Sequence, residues 1–78
     1  MQYEYMVVVY ILGQGIAERK EFNDLRIAKE RAVTASEHLQ KRQQDFHIFV
    51  TDAVPKMSDD HYMEIHTPAG RIGRARTN

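Results

Sequence analysis

The N-terminal part of the chain is dense in β-branched and aromatic residues. Residues 2–12 read QYEYMVVVYIL and are apolar at both odd and even positions, which is typical of a strand near the middle of a sheet. Gly13 and Gly15 follow, and glycine accepts the positive φ angles that a tight turn needs. Residues 16–22 resume as a strand of alternating charge, which suits the edge of a sheet. We therefore predict a β-hairpin.

A helix is predicted next, because residues 24–43 contain no glycine or proline and carry a regular apolar spacing. Asn23 and Asp24 supply an N-cap and a carboxylate for the first turn. At about 100° per residue, apolar side chains three or four positions apart fall on one stripe. Most of them are small, so the helix can lie close to a sheet. The stripe consists of Leu25, Ala28, Ala32, Ala35 and Leu39.

The C-terminal part of the chain predicts further strands. Residues 45–54 form a third strand that Pro55 ends, and residues 61–67 form a fourth. The segment 67–70, Thr-Pro-Ala-Gly, has the composition of a turn, so residues 71–75 return as a short fifth strand.

The element order β-β-α-β-β predicts a two-layer α+β fold. We expect an antiparallel sheet with strand order 2-1-3-4 and the helix packed across one face. The chain is too short for a second independently folded unit, so residues 1–78 form a single domain. Within it, residues 71–78 form a basic C-terminal tail or the short edge strand.

The predicted sheet carries more apolar residues than one helix can cover. Whichever side of the first strand meets the helix, the other side still offers four or five large apolar side chains. We expect Phe49 and Tyr62 to join them. A contiguous apolar patch on a small domain marks a binding surface or a dimer interface. The alternative is that the fifth strand and residues 55–60 fold back over this face.

Composition excludes several classes of partner and compartment. Eleven basic residues balance eleven acidic ones, so no net charge attracts the chain to nucleic acid or to an anionic membrane. The absence of cysteine excludes disulfides, thiolate zinc sites and thiol nucleophiles. The longest apolar run, residues 6–12, is far shorter than the roughly twenty residues of a membrane-spanning helix. We expect a cytoplasmic protein without a membrane partner.

The chain offers no pattern that predicts an enzyme. The Gly13-Gln14-Gly15 turn leads into a strand, whereas a dinucleotide-binding glycine turn opens a helix. Residues 59–61, Asp-Asp-His, have no nucleophile at a defined spacing, and a small domain has little room for a desolvated pocket. We expect neither catalysis nor a cofactor or metal, because the histidines show no metal-site spacing. These histidines are His38, His47, His61 and His66.

We interpret the chain as a non-catalytic protein that docks on a larger protein or protein–nucleic-acid assembly and blocks or bridges it. Its layout of a hairpin, one helix and further strands resembles that of many small phage-encoded proteins that block host machinery, including some inhibitors of bacterial defence systems. The resemblance is one of architecture and involves no particular residue. The expected apolar anchors are Tyr10, Phe49 and Tyr62, and the expected electrostatic contacts are Arg71, Arg74 and Arg76.

A small dimeric regulator that binds nucleic acid directly is the alternative. The C-terminal sequence GRIGRAR interleaves arginine with glycine and could bind phosphates, an acidic protein surface or only water. Lys41 and Arg42, at the predicted end of the helix, would extend the same basic patch. Binding to phosphates would weaken steeply with salt, whereas binding through the apolar face would not.

Overall fold

The computed structural model of the chain describes residues 3–53 and 62–75, and its strands and helix follow the predicted order. The helix ends at Lys41, slightly before the predicted end near residue 43. The elements are β1 (Tyr5–Ile11), β2 (Gly15–Phe22), α1 (Leu25–Lys41), β3 (Phe46–Asp52), β4 (Met63–Thr67) and β5 (Gly70–Ala75).

The strands form one open antiparallel sheet with the order β2-β1-β3-β4-β5. This confirms the predicted α+β fold and the order 2-1-3-4, which β5 extends at its far side. β1 lies inside the sheet, as its apolar residues at both parities predict, and the charged strand β2 lies at an edge.

Glycines shape the β1–β2 hairpin. Gly13 and Gly15 take φ angles of 87° and 98°, which are unfavourable for residues that have a Cβ atom. The amide of Gln14 donates to the carbonyl of Ile11 across the turn at 2.9 Å. The pairing register then shifts beside the turn, which leaves Ala17 as the extra residue of a β-bulge.

Local hydrogen bonds fix both ends of α1. Asp24 is the N-cap, and its carboxylate accepts from the amide of Arg26 at 2.9 Å. At the other end Gln43 takes a left-handed φ of 58°. The amides of Gln43 and Gln44 bind the carbonyls of Gln40 and Leu39 at 3.0 and 3.1 Å, which is the Schellman pattern of helix termination. None of the described helical residues forms a segment long and apolar enough to cross a bilayer.

The core lies between α1 and one side of the sheet. Ala28 and Ala32 are completely buried, and these small residues let the helix lie close to the strands. The predicted stripe is confirmed, although Leu25 is only partly buried and Ser36 joins the buried side. The sheet contributes Val7, Val9, Ile11, Phe46, Ile48, Val50 and Tyr62 to this core.

Candidate interaction surface

The sheet has an inner face, which packs against α1, and an outer face, which points away from it. Side chains alternate between the two faces along each strand. Val7 and Ile48 on the inner face are completely buried, whereas their neighbours Val8 and Phe49 on the outer face are only half-buried. Of the described helices and strands, α1 packs on the sheet from the inner side. The outer face therefore has no cover within the described residues.

Strand register arranges the described part of the outer face in rows that run across the strands, and eleven side chains of β1, β2, β3 and β4 form these rows. The central row consists of Arg19, Val8, Phe49 and Ile65. The second row consists of Glu21, Met6, Thr51 and Met63. The third row consists of Ile16, Tyr10 and His47.

Large apolar side chains of the outer face are open to solvent. Tyr10 is 39% exposed, Met63 is 38% exposed and Ile16 is 65% exposed. Scattered apolar residues are normal on protein surfaces, but these share one surface with the half-buried Val8 and Phe49. The result is a contiguous apolar patch that extends over β2, β1, β3 and β4.

Neighbouring side chains hold parts of the outer face in place. The ring of His47 packs edge-on against Phe49 with a centroid separation of 6.3 Å and an interplanar angle of 86°. Arg19 extends over the sheet and donates from Nε to Sδ of Met6 at 3.1 Å. The face thus combines an apolar centre with polar groups towards its margin, which is the usual composition of a protein interface.

Of the three expected apolar anchors, Tyr10 and Phe49 lie on the outer face and Tyr62 does not. Tyr62 is 6% exposed and belongs to the core, where its ring packs edge-on against Tyr5 at 6.5 Å. The reason is the register of β4, which pairs Met63 with Thr51 and thereby turns Met63 outward and Tyr62 inward. The expectation that Tyr62 joins the exposed face is wrong.

Tyr62 contributes instead to a buried polar cluster around Glu64, which is 2% exposed. Oε2 of Glu64 accepts from the hydroxyl of Tyr62 at 3.1 Å and from Nη1 of Arg71 at 3.3 Å, and it lies 3.8 Å from Nζ of Lys29. Oε1 lies 2.8 Å from Nε2 of His66. The carboxylate thus joins α1, β4 and β5, and its partners offset the cost of burying its charge.

The surroundings of Glu64 set the ionisation of the cluster. Burial, the strongest single influence, acts to raise the pKa of the Glu64 carboxyl. Hydrogen bonds from His66 and Tyr62, together with the charge of Lys29, outweigh burial and hold this pKa below its usual value. Burial and the neighbouring carboxylate raise the pKa of the Tyr62 phenol. At neutral pH, Glu64 is therefore ionised and Tyr62 keeps the proton that it donates.

Sequence reasoning missed this cluster because β4 departs from the rule that apolar residues point inward. Its polar parity, Tyr62, Glu64 and His66, faces the helix, while Met63 and Ile65 face outward. The sequence of the helix contained one signal that could have indicated this cluster. Lys29 lies four residues after Leu25 and three before Ala32, at the margin of the apolar stripe, where a cation can reach a buried carboxylate.

The described arginines of the C-terminal segment lie beside this cluster. The side chain of Arg71 is 62% exposed, and its guanidinium contacts Glu64. Arg74 pairs with Glu64 in the backbone register of β4 and β5. Arg76 lies outside the described residues. The part of the basic segment that is described therefore belongs to the β4–β5 margin of the sheet.

Lys41 and Arg42 lie elsewhere, exposed at the C-terminal end of α1. Lys29, which shares Glu64 with Arg71, precedes Lys41 by about 18 Å along the helix axis. Lys41 and Arg42 are therefore remote from Arg71; Arg76 lies outside the described residues, so the extension of the whole arginine patch by Lys41 and Arg42 stays a prediction.

The described histidines do not lie together. His47 lies on the outer face, whereas His66 lies on the inner face in the Glu64 cluster. Within residues 3–53 and 62–75, no group of acidic or histidine side chains is arranged to hold a metal ion. His61, together with the Asp-Asp-His segment, lies outside these ranges.

A cleft of about 380 Å³ opens between the second half of α1 and the β1–β2 hairpin. The small side chains of Ala17 and Ala35 are among those that line it. At its rim Arg31 donates to both carboxylate oxygens of Glu18, with Nε at 2.8 Å from Oε2. The hydrogen bonds from Arg31 lower the pKa of Glu18. This ion pair joins a residue of the helix to a residue of the edge strand β2.

Comparison of the chain with protein-family models, with curated protein sequences and with solved structures finds no match.

Proposed function

We propose that this chain is a non-catalytic protein-binding module whose binding surface is the outer face of the sheet. The observation that carries the proposal is the central row of that face, where Val8, Phe49 and Ile65 lie side by side without cover from α1. Burying such a row against a partner removes apolar area from water at about 25 cal/mol per Å².

The distribution of charge supports a protein as the partner. On the outer face, Arg19 is accompanied by Glu21 on the same strand, so the side chains that are described on this face carry no excess of positive charge for a phosphate backbone. Elsewhere Arg26, Arg31 and Arg71 each contact a carboxylate of the same chain. The separation of Arg71 from Lys41 adds to the case against the nucleic-acid alternative. Blocking of host machinery by a phage-encoded protein remains one form that such docking could take.

Site-specific photo-crosslinking in the cell that produces the chain tests the proposal. Tyr10 is replaced by p-benzoylphenylalanine, which is close to tyrosine in shape and lies at the rim of the outer face. The same substitution at Val33 is the control, because Val33 is similarly exposed, at 45%, but lies on the helix. We expect a discrete protein adduct from position 10 and none from position 33.

A second substitution ties the adduct to the outer face. Met63→Glu introduces a charge at an exposed position of this face and should abolish the adduct from position 10. Circular dichroism and thermal melting verify that the variant is folded. Equal crosslinking from positions 10 and 33, or an adduct that survives Met63→Glu, would refute the proposed function.

A further inference from the structure

We infer that the occupant of the outer face is a second copy of this chain, packed sheet to sheet about a two-fold axis. This inference rests on the proposed function, because it names the partner of the same surface. The product is a four-layer assembly in which the two helices lie outside and the two outer faces are buried between the sheets.

The area of the face fits a weak dimer. The patch extends over four strands about 4.8 Å apart, each contributing about 20 Å of length, which gives a projected area of roughly 380 Å² per copy. Two copies together then bury roughly 770 Å² in projection, which lies in the range of small, transient protein interfaces below about 1,200 Å². A second copy also presents an apolar centre of the same size and shape.

The rows of the face are complementary to themselves. A two-fold axis that runs across the strands between the central row and the second row places each row over the other. The central residue Val8 then lies over Met6 of the second copy, and Ile65 lies over Met63 of the second copy. Apolar side chains therefore meet apolar side chains on β1 and β4, whereas on β3 the ring of Phe49 lies over Thr51 of the second copy.

The charged residues of the face are complementary about the same two-fold axis. Arg19 ends the central row and Glu21 ends the second row, both exposed on β2. The axis brings Arg19 of each copy over Glu21 of the other copy, so the interface contains two Arg–Glu ion pairs. Because these pairs lie at the rim, they determine how the copies align more than how tightly they bind.

Sedimentation equilibrium of the full chain over about a hundredfold range of concentration tests the inference. We expect the mass to rise with concentration from 9.1 kDa towards twice this value. Met63→Glu should keep the chain monomeric throughout this range. Val8→Glu, which places a charge at the centre of the face, should do the same. Val33→Glu on the helix should dimerise like the unmodified chain. Circular dichroism establishes that each variant is folded.

A charge-reversal experiment tests the two-fold axis itself. Arg19→Glu alone makes both rim pairs repulsive between identical copies, and so does Glu21→Arg alone. Each variant should dimerise about tenfold more weakly than the unmodified chain. A mixture of the two variants should regain dimers, because each pair is then attractive again. Both positions are exposed, so neither change disturbs the core.

The outcomes separate this inference from the proposed function. A chain that stays monomeric at every concentration, or dimers that persist in Met63→Glu, would overturn the inference of a second copy. A mixture that does not regain dimers would overturn the axis. In the photo-crosslinking experiment, an adduct of twice the chain's mass supports the second copy. An adduct with a different protein overturns the dimer and still supports the proposed function.

Discussion

The two faces of the sheet differ in a way that their sequences only partly explain. On β3, Phe46, Ile48 and Val50 point inward and are completely buried, while Phe49 points outward beside His47. Both faces carry large apolar residues, yet only the inner face is covered by α1. The comparison teaches that the chain holds more apolar surface than its described helix can bury. We attribute the excess on the outer face to binding.

Two phenylalanines of β3 should show the largest difference in stability between the inner and the outer face. Phe46→Ala opens a cavity in the core and should lower the free energy of unfolding by about 4 kcal/mol. Phe49→Ala removes a half-buried ring from the outer face and should cost about 1 kcal/mol or less in the dilute monomer. Urea denaturation at low protein concentration measures both. Equal losses would show that the outer face is a second core.

Replacing a buried glutamate of the inner face should affect stability more than replacing an exposed glutamate of the outer face. Glu64→Gln removes the negative charge and one of the two acceptor oxygens that Lys29, Arg71 and His66 share, and it should cost about 2 kcal/mol. The control is Glu21→Gln on the outer face, where the side chain is exposed and the expected change is within about 0.5 kcal/mol. Denaturant unfolding of the two variants compares them directly. If Glu64→Gln were as harmless as the control, the inner cluster would contribute nothing to the fold.

Acid should act on the inner face through Glu64. Its pKa is lower in the folded chain than in the unfolded one, so the carboxylate stabilises the fold above its unfolded pKa, near 4.3. This contribution disappears as the pH falls through the lower folded pKa. Urea midpoints measured from neutral pH to below pH 4 should fall for the unmodified chain and less steeply for Glu64→Gln. Parallel pH profiles would contradict the role of this carboxylate.

The smallest effect is expected at the edge of the inner face, where Glu18 meets Arg31. Both side chains are partly exposed, at 29% and 37%, so solvent weakens their attraction. Glu18→Gln should cost about 0.5 kcal/mol, and a double-mutant cycle with Arg31→Gln should give a coupling of similar size. A coupling of several kcal/mol would mean that this pair, rather than the apolar stripe, fastens α1 to the hairpin.

Patterns along the chain were sufficient to predict the fold. The apolar residues at both parities of residues 2–12 placed β1 inside the sheet, and the alanine-rich stripe identified the buried side of α1. The excess of apolar side chains also predicted a face that α1 does not cover, and α1 indeed packs on the opposite face. The alternative that residues 55–60 fold back over this face lies outside the described residues. These features depend on periodicity within one element, which a single sequence contains.

The details of the faces depended on contacts between elements, which periodicity does not contain. Tyr62 was assigned to the wrong face because the register of β4 decides its direction. The burial of Glu64 depends on Lys29 from the helix and Arg71 from β5, which are far apart in the sequence. The distance between Arg71 and Lys41 likewise depends on how the helix packs on the sheet.

Nuclear magnetic resonance of side-chain methyl groups in the presence of a soluble gadolinium chelate tests the central claim most directly. In dilute samples the methyls of the half-buried Val8 and Ile65 should relax faster than those of Val7 and Ile48, which are completely buried and stay protected. At high concentration the second copy should protect Val8 and Ile65 as well. Protection of Val8 and Ile65 in dilute samples, equal to that of Val7 and Ile48, would contradict the claim that the outer face is open.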